Sequence, residues 1–190
     1  MSSWGAVEGS ESLPKFLTTA QQKDVFANQS GWVVEAGSAM TGNGNTSADP
    51  EILVAIGGLA GASGTTGLGE ATINTVDWNI TTFDKSAGGT LSVTVRYNET
   101  VTVAVSNPTI IVTNDQRANH TLTYASGTGT HELTFTLAIA GGNSATDADD
   151  VLSIAAQSIV LASSSTIKDT SDTPANAELA ISSAQGTACG

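Results

Sequence analysis

The chain has 190 residues, of which 39% are hydrophobic, 5% aromatic and 13% charged, and its formal net charge is −12. Its six basic residues are scattered singly, whereas nucleic-acid binding requires clustered Lys and Arg side chains that displace counterions from phosphates. No apolar run reaches the roughly 18–20 residues of a membrane span. We therefore expect neither a nucleic-acid nor a membrane partner.

The first predicted element is a short helix within residues 17–27. Two overlapping S/T-x-x-Q patterns, from Thr18 to Gln21 and from Thr19 to Gln22, are typical of helix N-termini. They predict a helix of two or three turns.

The rest of the N-terminal segment has few and irregularly placed apolar residues. A short extended piece is predicted at 31–34 and an apolar strand at 51–56. The Gly-, Ala- and Ser-rich stretch at 57–69 is typical of a linker. We interpret residues 1–70 as an extended N-terminal arm and linker with one short helix.

From residue 72 onward the hydrophobic pattern has a period of two. Leu91, Val93, Val95 and Tyr97, for example, alternate with small or polar residues, which predicts strands with one buried face. Comparable strands are predicted at 76–81, 101–105, 109–113, 120–125, 133–139, 151–154, 158–161 and 177–182.

Turn residues separate these short strands, and their number and spacing are typical of an immunoglobulin-like (Ig-like) β-sandwich. The predicted fold is therefore all-β, with the sandwich at 71–184 and a C-terminal tail at 185–190. Cys189, the one cysteine, leaves no internal disulfide. The first eight residues lack the basic and apolar regions of a secretory signal, so we expect synthesis in a cytoplasm.

Residues for catalysis are scarce. The histidines, His120 and His131, lie at predicted strand starts or turns, where they could face each other across a hairpin. Neither accompanies a nucleophile motif, and the sequence contains no zinc-protease or phosphate-loop motif. We predict that the protein is not an enzyme and needs no cofactor.

One acidic cluster could bind a metal. Asp147, Asp149 and Asp150 could begin a calcium site, since Ca²⁺ takes six to eight oxygen ligands. The alternative, which we favour, is that these residues stabilise a turn before the next strand.

Two parts of the sequence resemble known groups of proteins. The run GTLSVTVRYNETVTV at 89–103 resembles the opening of bacterial Ig-like repeats in large surface proteins. So do DADDVLSI at 147–154, IVL at 159–161 and TIKD at 166–169, and the resemblance covers about 72–182. The segments LPKFLT at 13–18, VFA at 25–27 and GWV at 31–33 are similar to the start of virion structural proteins of marine tailed phages, cyanophages especially.

The combined resemblance implies a structural virion protein. We expect a capsid decoration, or cement, protein on the outer surface of a bacteriophage head, binding the major capsid protein and other copies of itself around capsid symmetry axes. The alternative is a tail, neck or fibre component that uses its Ig-like domain for host-surface attachment. A bacterial adhesin or surface-layer fragment is a third class, which would require an export signal or tandem repeats.

In this interpretation the N-terminal arm binds the capsid. Trp4, Phe16, Phe26 and Trp32 are the candidate anchors, since large aromatic side chains dominate protein interfaces. The alternative for each is packing within the chain itself.

Overall fold

The computed structural model describes residues 13–61, 67–105, 107–142, 146–147, 149–171, 174–186 and 188–189. It is nearly all β, with 44% strand and 2% helix, which confirms the predicted all-β class. No helix within these ranges has the length and apolarity needed to cross a bilayer.

The described residues contain one 3-10 turn and thirteen strands. The turn is Gln21–Asp24, and the strands are β1 (Val25–Asn28), β2 (Gly31–Val34), β3 (Glu51–Ala55), β4 (Ile73–Trp78), β5 (Gly88–Ala104), β6 (Thr109–Asn114), β7 (His120–Ser126), β8 (Thr130–Ala140), β9 (Leu152–Ser153), β10 (Gln157–Ser158), β11 (Thr166–Asp169), β12 (Ala180–Ile181) and β13 (Ala188–Cys189).

Most strands join in the order β13-β9-β6-β7-β8-β5-β1-β2-β3. Strands β4 and β11 also pair with β5, and β10 pairs with β12 in a separate two-stranded sheet. The pairing between β1 and β5 is parallel, at Ala27 opposite Glu99, whereas the other ladders are antiparallel. Strand β5 is therefore the element that connects the N-terminal strands to the rest of the molecule.

Residues 13–61, which we call the N-terminal unit, form a small folded sheet in place of the predicted extended arm. Strands β1, β2 and β3 pair in antiparallel order, and Leu17, Trp32 and Leu59 pack together in a core of their own. Gly31 has φ of 133°, and a Cβ there would overlap the Val54 carbonyl. The close approach of β2 and β3 at this position therefore requires glycine. The core residues come from a turn, a strand and a loop, so they show no regular period in the sequence.

The predicted helix of two or three turns is a single 3-10 turn. The predicted pair of Thr18 and Gln21 does interact just before this turn, because the Gln21 side chain accepts from the Thr18 backbone N–H at 2.9 Å and the Thr18 hydroxyl accepts from the Gln21 N–H at 3.3 Å. The N-cap of the turn itself is Ala20, which has no side-chain cap. The helix ends where Val25 begins β1, whose ladder to β2 supplies the backbone hydrogen bonds that a helix would otherwise make.

The remaining strands, β4 to β13, make up the C-terminal part and surround a larger core. Tyr97, Leu91, Leu133 and Phe135 are fully buried, and the alternating pattern of β5 and β8 places one face of each strand in this core. Several predicted strands are present but shorter, since β9, β10 and β12 have two residues each.

Strand β5 has 17 residues, where the sequence predicts two strands. The link stays extended because the Asn98 N–H donates to the Thr72 carbonyl at 2.9 Å and the Asn98 side chain accepts from the Thr72 N–H at 2.7 Å. Glu99 pairs with Ala27 of β1. Pairing with two other segments thus keeps the polar link in the strand.

Candidate functional site

The N-terminal unit carries an open apolar groove with a volume of about 380 Å³. Leu17 anchors the preceding turn in the core, and the Leu17 N–H donates to the Pro14 carbonyl at 3.2 Å. This turn leaves Phe16 projecting outward with 69% of its surface exposed. The groove is lined by Leu13, Pro14, Lys15, Phe16, Trp32, Val54 and Ile56.

Strand β3 is the edge of the sheet beside this groove. Among the described residues it pairs only with β2, and Ile52 on it is 55% exposed. An edge strand presents unpaired N–H and C=O groups to another chain, and proteins usually protect such edges with charges, bulges or prolines. Here Pro50 and Glu51 lie at the start of β3, and its pairs with β2 step from Val54 to Ile52, which leaves Leu53 as a bulge residue in β3 itself. The edge is therefore partly protected, with Ile52 exposed beside the bulge.

The four candidate anchors do not lie on one surface. Phe16 is exposed in the groove, whereas Trp32 is 2% exposed and belongs to the core of the N-terminal unit, with one side lining the groove. Phe26 is 8% exposed and lies inside the chain. Trp4 lies outside the described residues. Phe16 is therefore the anchor that the described structure leaves available for a partner, and Phe26 and Trp32 pack within the chain.

Phe26 packs the N-terminal unit against the C-terminal part. Its ring stacks on His131, at the start of β8, with ring centroids 4.5 Å apart and an interplanar angle of 13°. Val33, its cross-strand partner on β2, is fully buried. Strand β1 is therefore buried on both faces.

A cluster of titratable groups surrounds this contact, and we call Glu35, His131 and Glu132 the junction cluster. Their ligand atoms lie within 4.8 Å of one another, close enough to hold a metal ion. The His131 Nε2 lies 3.2 Å from the Lys23 carbonyl, so Nε2–H donates and has no lone pair for a metal. Glu132 already accepts from Arg96 at 2.6 Å. These partners favour a structural junction over a metal centre.

Electrostatics at the junction keep several groups neutral. Burial, together with the nearby charges of Glu132 and Asp24, raises the pKa of Glu35 to about 7. Burial also lowers the pKa of His131, so its ring is neutral near pH 7. Arg96 supplies the positive charge, with Asp77 at 2.7 Å as well as Glu132.

Sequence reasoning singled out His131 but not Glu35, Glu132 or Arg96. The alternation of β5 and β8 places Arg96 and Glu132 opposite each other, a pairing visible only once the register is known. His120 lies at the opposite end of the β7–β8 hairpin from His131, since β7 begins at His120 and β8 begins beside His131. The two histidines therefore do not face each other.

The three aspartates of the possible calcium site lie together, but with cations among them. Asp147 pairs with Lys85 at 3.0 Å and with Arg117 at 2.5 Å. Asp150 accepts from the Asp147 N–H at 2.7 Å through Oδ2, a turn contact, and Asp149 is exposed. The cations Lys85 and Arg117 neutralise charge that a calcium ion would otherwise balance, and the turn contact matches the favoured interpretation of this cluster.

Comparisons with protein-family models, curated proteins and solved structures find no match. The functional argument therefore depends on the chain's own surfaces.

Proposed function

We propose that the protein is a structural virion protein that decorates the outer surface of a phage head. Residues 71–184 form an Ig-like domain that projects outward, and the N-terminal unit binds the major capsid protein. Further copies assemble around local symmetry axes of the shell, since capsid symmetry repeats each binding site. The protein works by burying area between shell subunits, which stabilises the assembled shell over its free parts.

The observation that carries this proposal is the apolar groove beside the open edge of β3. Phe16 exposes 69% of its surface and Ile52 exposes 55%, and the two lie on one small unit of a chain whose net charge is −12. An exposed apolar surface beside the outer edge of β3 is suited to an extended segment of a partner. Such a segment would add a strand to β3 and place an apolar side chain in the groove.

The negative charge of the chain supports a place on the outside of a particle. Lys23, Lys85, Arg96 and Arg117 each form an ion pair with a carboxylate of this same chain. These positive charges are largely neutralised by ion pairs within the molecule, so carboxylates remain in excess on its surface. Like charge on exposed domains keeps particles apart in solution.

The test is binding of the full chain to purified heads that lack it, with Phe16→Ser compared to wild type. Burial of one Phe side chain is worth about 1.5–3 kcal/mol, so we expect binding at least tenfold weaker. Val160→Ser is the matched control, because Val160 is 54% exposed but lies in the C-terminal part.

Equal losses in both variants, or no loss with Phe16→Ser, would contradict the assignment of the groove. Quantitative mass spectrometry of purified particles tests the location separately. A copy number near one per shell subunit or per local symmetry axis supports decoration. A dozen copies or fewer would move the protein to the tail, neck or a fibre, and absence from particles would overturn the virion proposal.

A further inference from the structure

A second surface feature, distant in sequence from the groove, is a cleft of about 410 Å³ in the C-terminal part. We call it the loop cleft, because it lies between the β4–β5 connection at 80–86 and four residues at and before the start of β9, which are Thr146, Asp147, Asp150 and Leu152. Its volume is in the range of roughly 300–1,000 Å³ that is typical of small-molecule sites. Loops held by a sheet are also where binding residues concentrate.

The two sides of the loop cleft are tied to each other. The Gly142 N–H donates to the Lys85 carbonyl at 2.9 Å, and the Lys85 ammonium lies 3.0 Å from Asp147. Within the β4–β5 loop, the Gly88 N–H donates to the Asp84 carbonyl at 2.9 Å. The Lys85–Asp147 ion pair therefore holds the two sides of the cleft together.

Within the described part of the chain, two residues that line the cleft each have an oxygen without a hydrogen-bond partner. These atoms are Oδ1 of Asp150, whose side chain is 2% exposed, and Oγ1 of Thr146, a residue that is 3% exposed. The other Asp150 oxygen is held by the Asn114 amide at 2.8 Å and the Asp147 N–H. The carboxylate is thus fixed in place with one acceptor unused, and buried polar atoms without a partner are rare in folded proteins.

The lining carries three carboxylates, those of Asp84, Asp147 and Asp150, and one ammonium group, that of Lys85. Lys85 pairs with Asp147, and Asp84 accepts from both the hydroxyl and the N–H of Ser86, which lowers the pKa of Asp84. The excess of carboxylates disfavours an anionic ligand, and carboxylate oxygens accept hydrogen bonds from ligand hydroxyl groups. The other part of the lining is apolar, from Ile80, Phe83 and Leu152.

A ligand with one apolar face and several hydroxyl groups matches this lining. We propose that the loop cleft binds a neutral sugar unit of a surface glycan, with a ligand hydroxyl donating to Asp150 Oδ1, a second hydroxyl bonding Thr146, and the C–H face of the ring against Phe83. The inference concerns a surface separate from the groove. It holds whether the protein decorates a head or belongs to a tail or fibre.

The test is saturation-transfer NMR and titration of the full chain with neutral hexoses, 6-deoxyhexoses and N-acetylhexosamines, beside glucosamine and sialic acid as charged probes. We expect transfer to at least one neutral sugar and binding at least tenfold weaker in Phe83→Ala and in Asp150→Asn. Phe16→Ala, an aromatic truncation in the groove, should bind the same sugar as wild type does.

Thr146→Val, which removes the Thr146 hydroxyl, serves as a second variant of the polar contacts in case Asp150→Asn unfolds. Circular dichroism verifies that each variant is folded. No transfer from any neutral sugar at millimolar concentration would overturn the proposal. Wild-type sugar affinity both in Phe83→Ala and in a folded Asp150→Asn or Thr146→Val variant would also overturn it. Tighter binding of glucosamine or sialic acid than of every neutral sugar would overturn the assignment of ligand class.

Discussion

The N-terminal unit and the C-terminal part use their apolar residues differently. Among the described residues, the C-terminal part has a core cluster of twenty buried side chains, whereas the N-terminal unit has seven. Both expose some large apolar side chains, Phe16 and Ile52 in the smaller unit and Val105, Ile111, Val151 and Val160 in the larger part. A three-stranded sheet with a core this small is at the margin of independent stability. Its pairing with β5 and the Phe26–His131 stack therefore supply stability that its own core lacks.

The largest expected effect comes from truncating each core in turn. Phe135→Ala removes a fully buried ring from the larger core and should lower the free energy of unfolding by about 3–5 kcal/mol. Trp32→Ala does the same in the smaller core. If β5 couples the two parts, urea denaturation followed by circular dichroism should give a single transition for both variants.

Two separate unfolding transitions, of which Trp32→Ala shifts only the first, would contradict the coupling of the two parts through β5. The N-terminal unit would then be an independent domain that merely contacts β5. A useful control is Ile111→Ala, since Ile111 is 40% exposed and its truncation should change the midpoint little.

The second effect concerns Glu99, which lies where β1 meets β5. Burial, together with the nearby charge of Asp169, raises the pKa of Glu99 to about 7. The side chain is neutral in both folded and unfolded states below about pH 4.5, so its penalty appears as the pH rises from there to about 7. Glu99→Gln should therefore stabilise the protein by about 2 kcal/mol at pH 8 and by little at pH 4.5.

Urea denaturation of wild type and variant at the two pH values measures this difference. The exposed Glu70, changed to Gln, is the matched control and should show no such pH dependence. A stabilisation by Glu99→Gln that is the same at both pH values would show that burial of the Glu99 charge is not its cause.

The smallest expected effect tests the turn that precedes β1. Thr18→Ala removes one side of the interactions with Gln21 and should cost about 0.5 kcal/mol, because the pair is exposed. Differential scanning calorimetry can measure the shift, with Thr19→Ala as the control. A change as large as that of Trp32→Ala would mean that the turn, rather than the core, holds the N-terminal unit together.

The sequence predicts the strands of the C-terminal part well, because strands such as β8 bury one face and expose the other. The N-terminal unit could not be predicted in this way. Its strand β1 is buried on both faces, and its core partners Leu17 and Leu59 lie outside strands. Their spacing therefore has no period.

The candidate sites show the same limit. Asp147 and Asp150 stand out in the sequence as an acidic cluster, but Lys85 and Arg117 reach them from other loops. These contacts across the fold determine whether carboxylates bind a cation, and the sequence pattern does not contain them. The candidate anchors Phe16 and Trp32 look alike in the sequence, and only the fold shows that Phe16 is exposed whereas Trp32 is buried.

Strand β5 also has a mechanical consequence. It is a continuous backbone of 17 residues, roughly 55 Å if fully extended, and it pairs with β1, β4, β8 and β11. A pull applied to the N-terminal unit reaches β5 through its parallel bridge to β1, so force runs along the strand and loads its neighbouring ladders in shear. Many hydrogen bonds then bear the load together instead of breaking one at a time, and the force is distributed through the C-terminal part along β5.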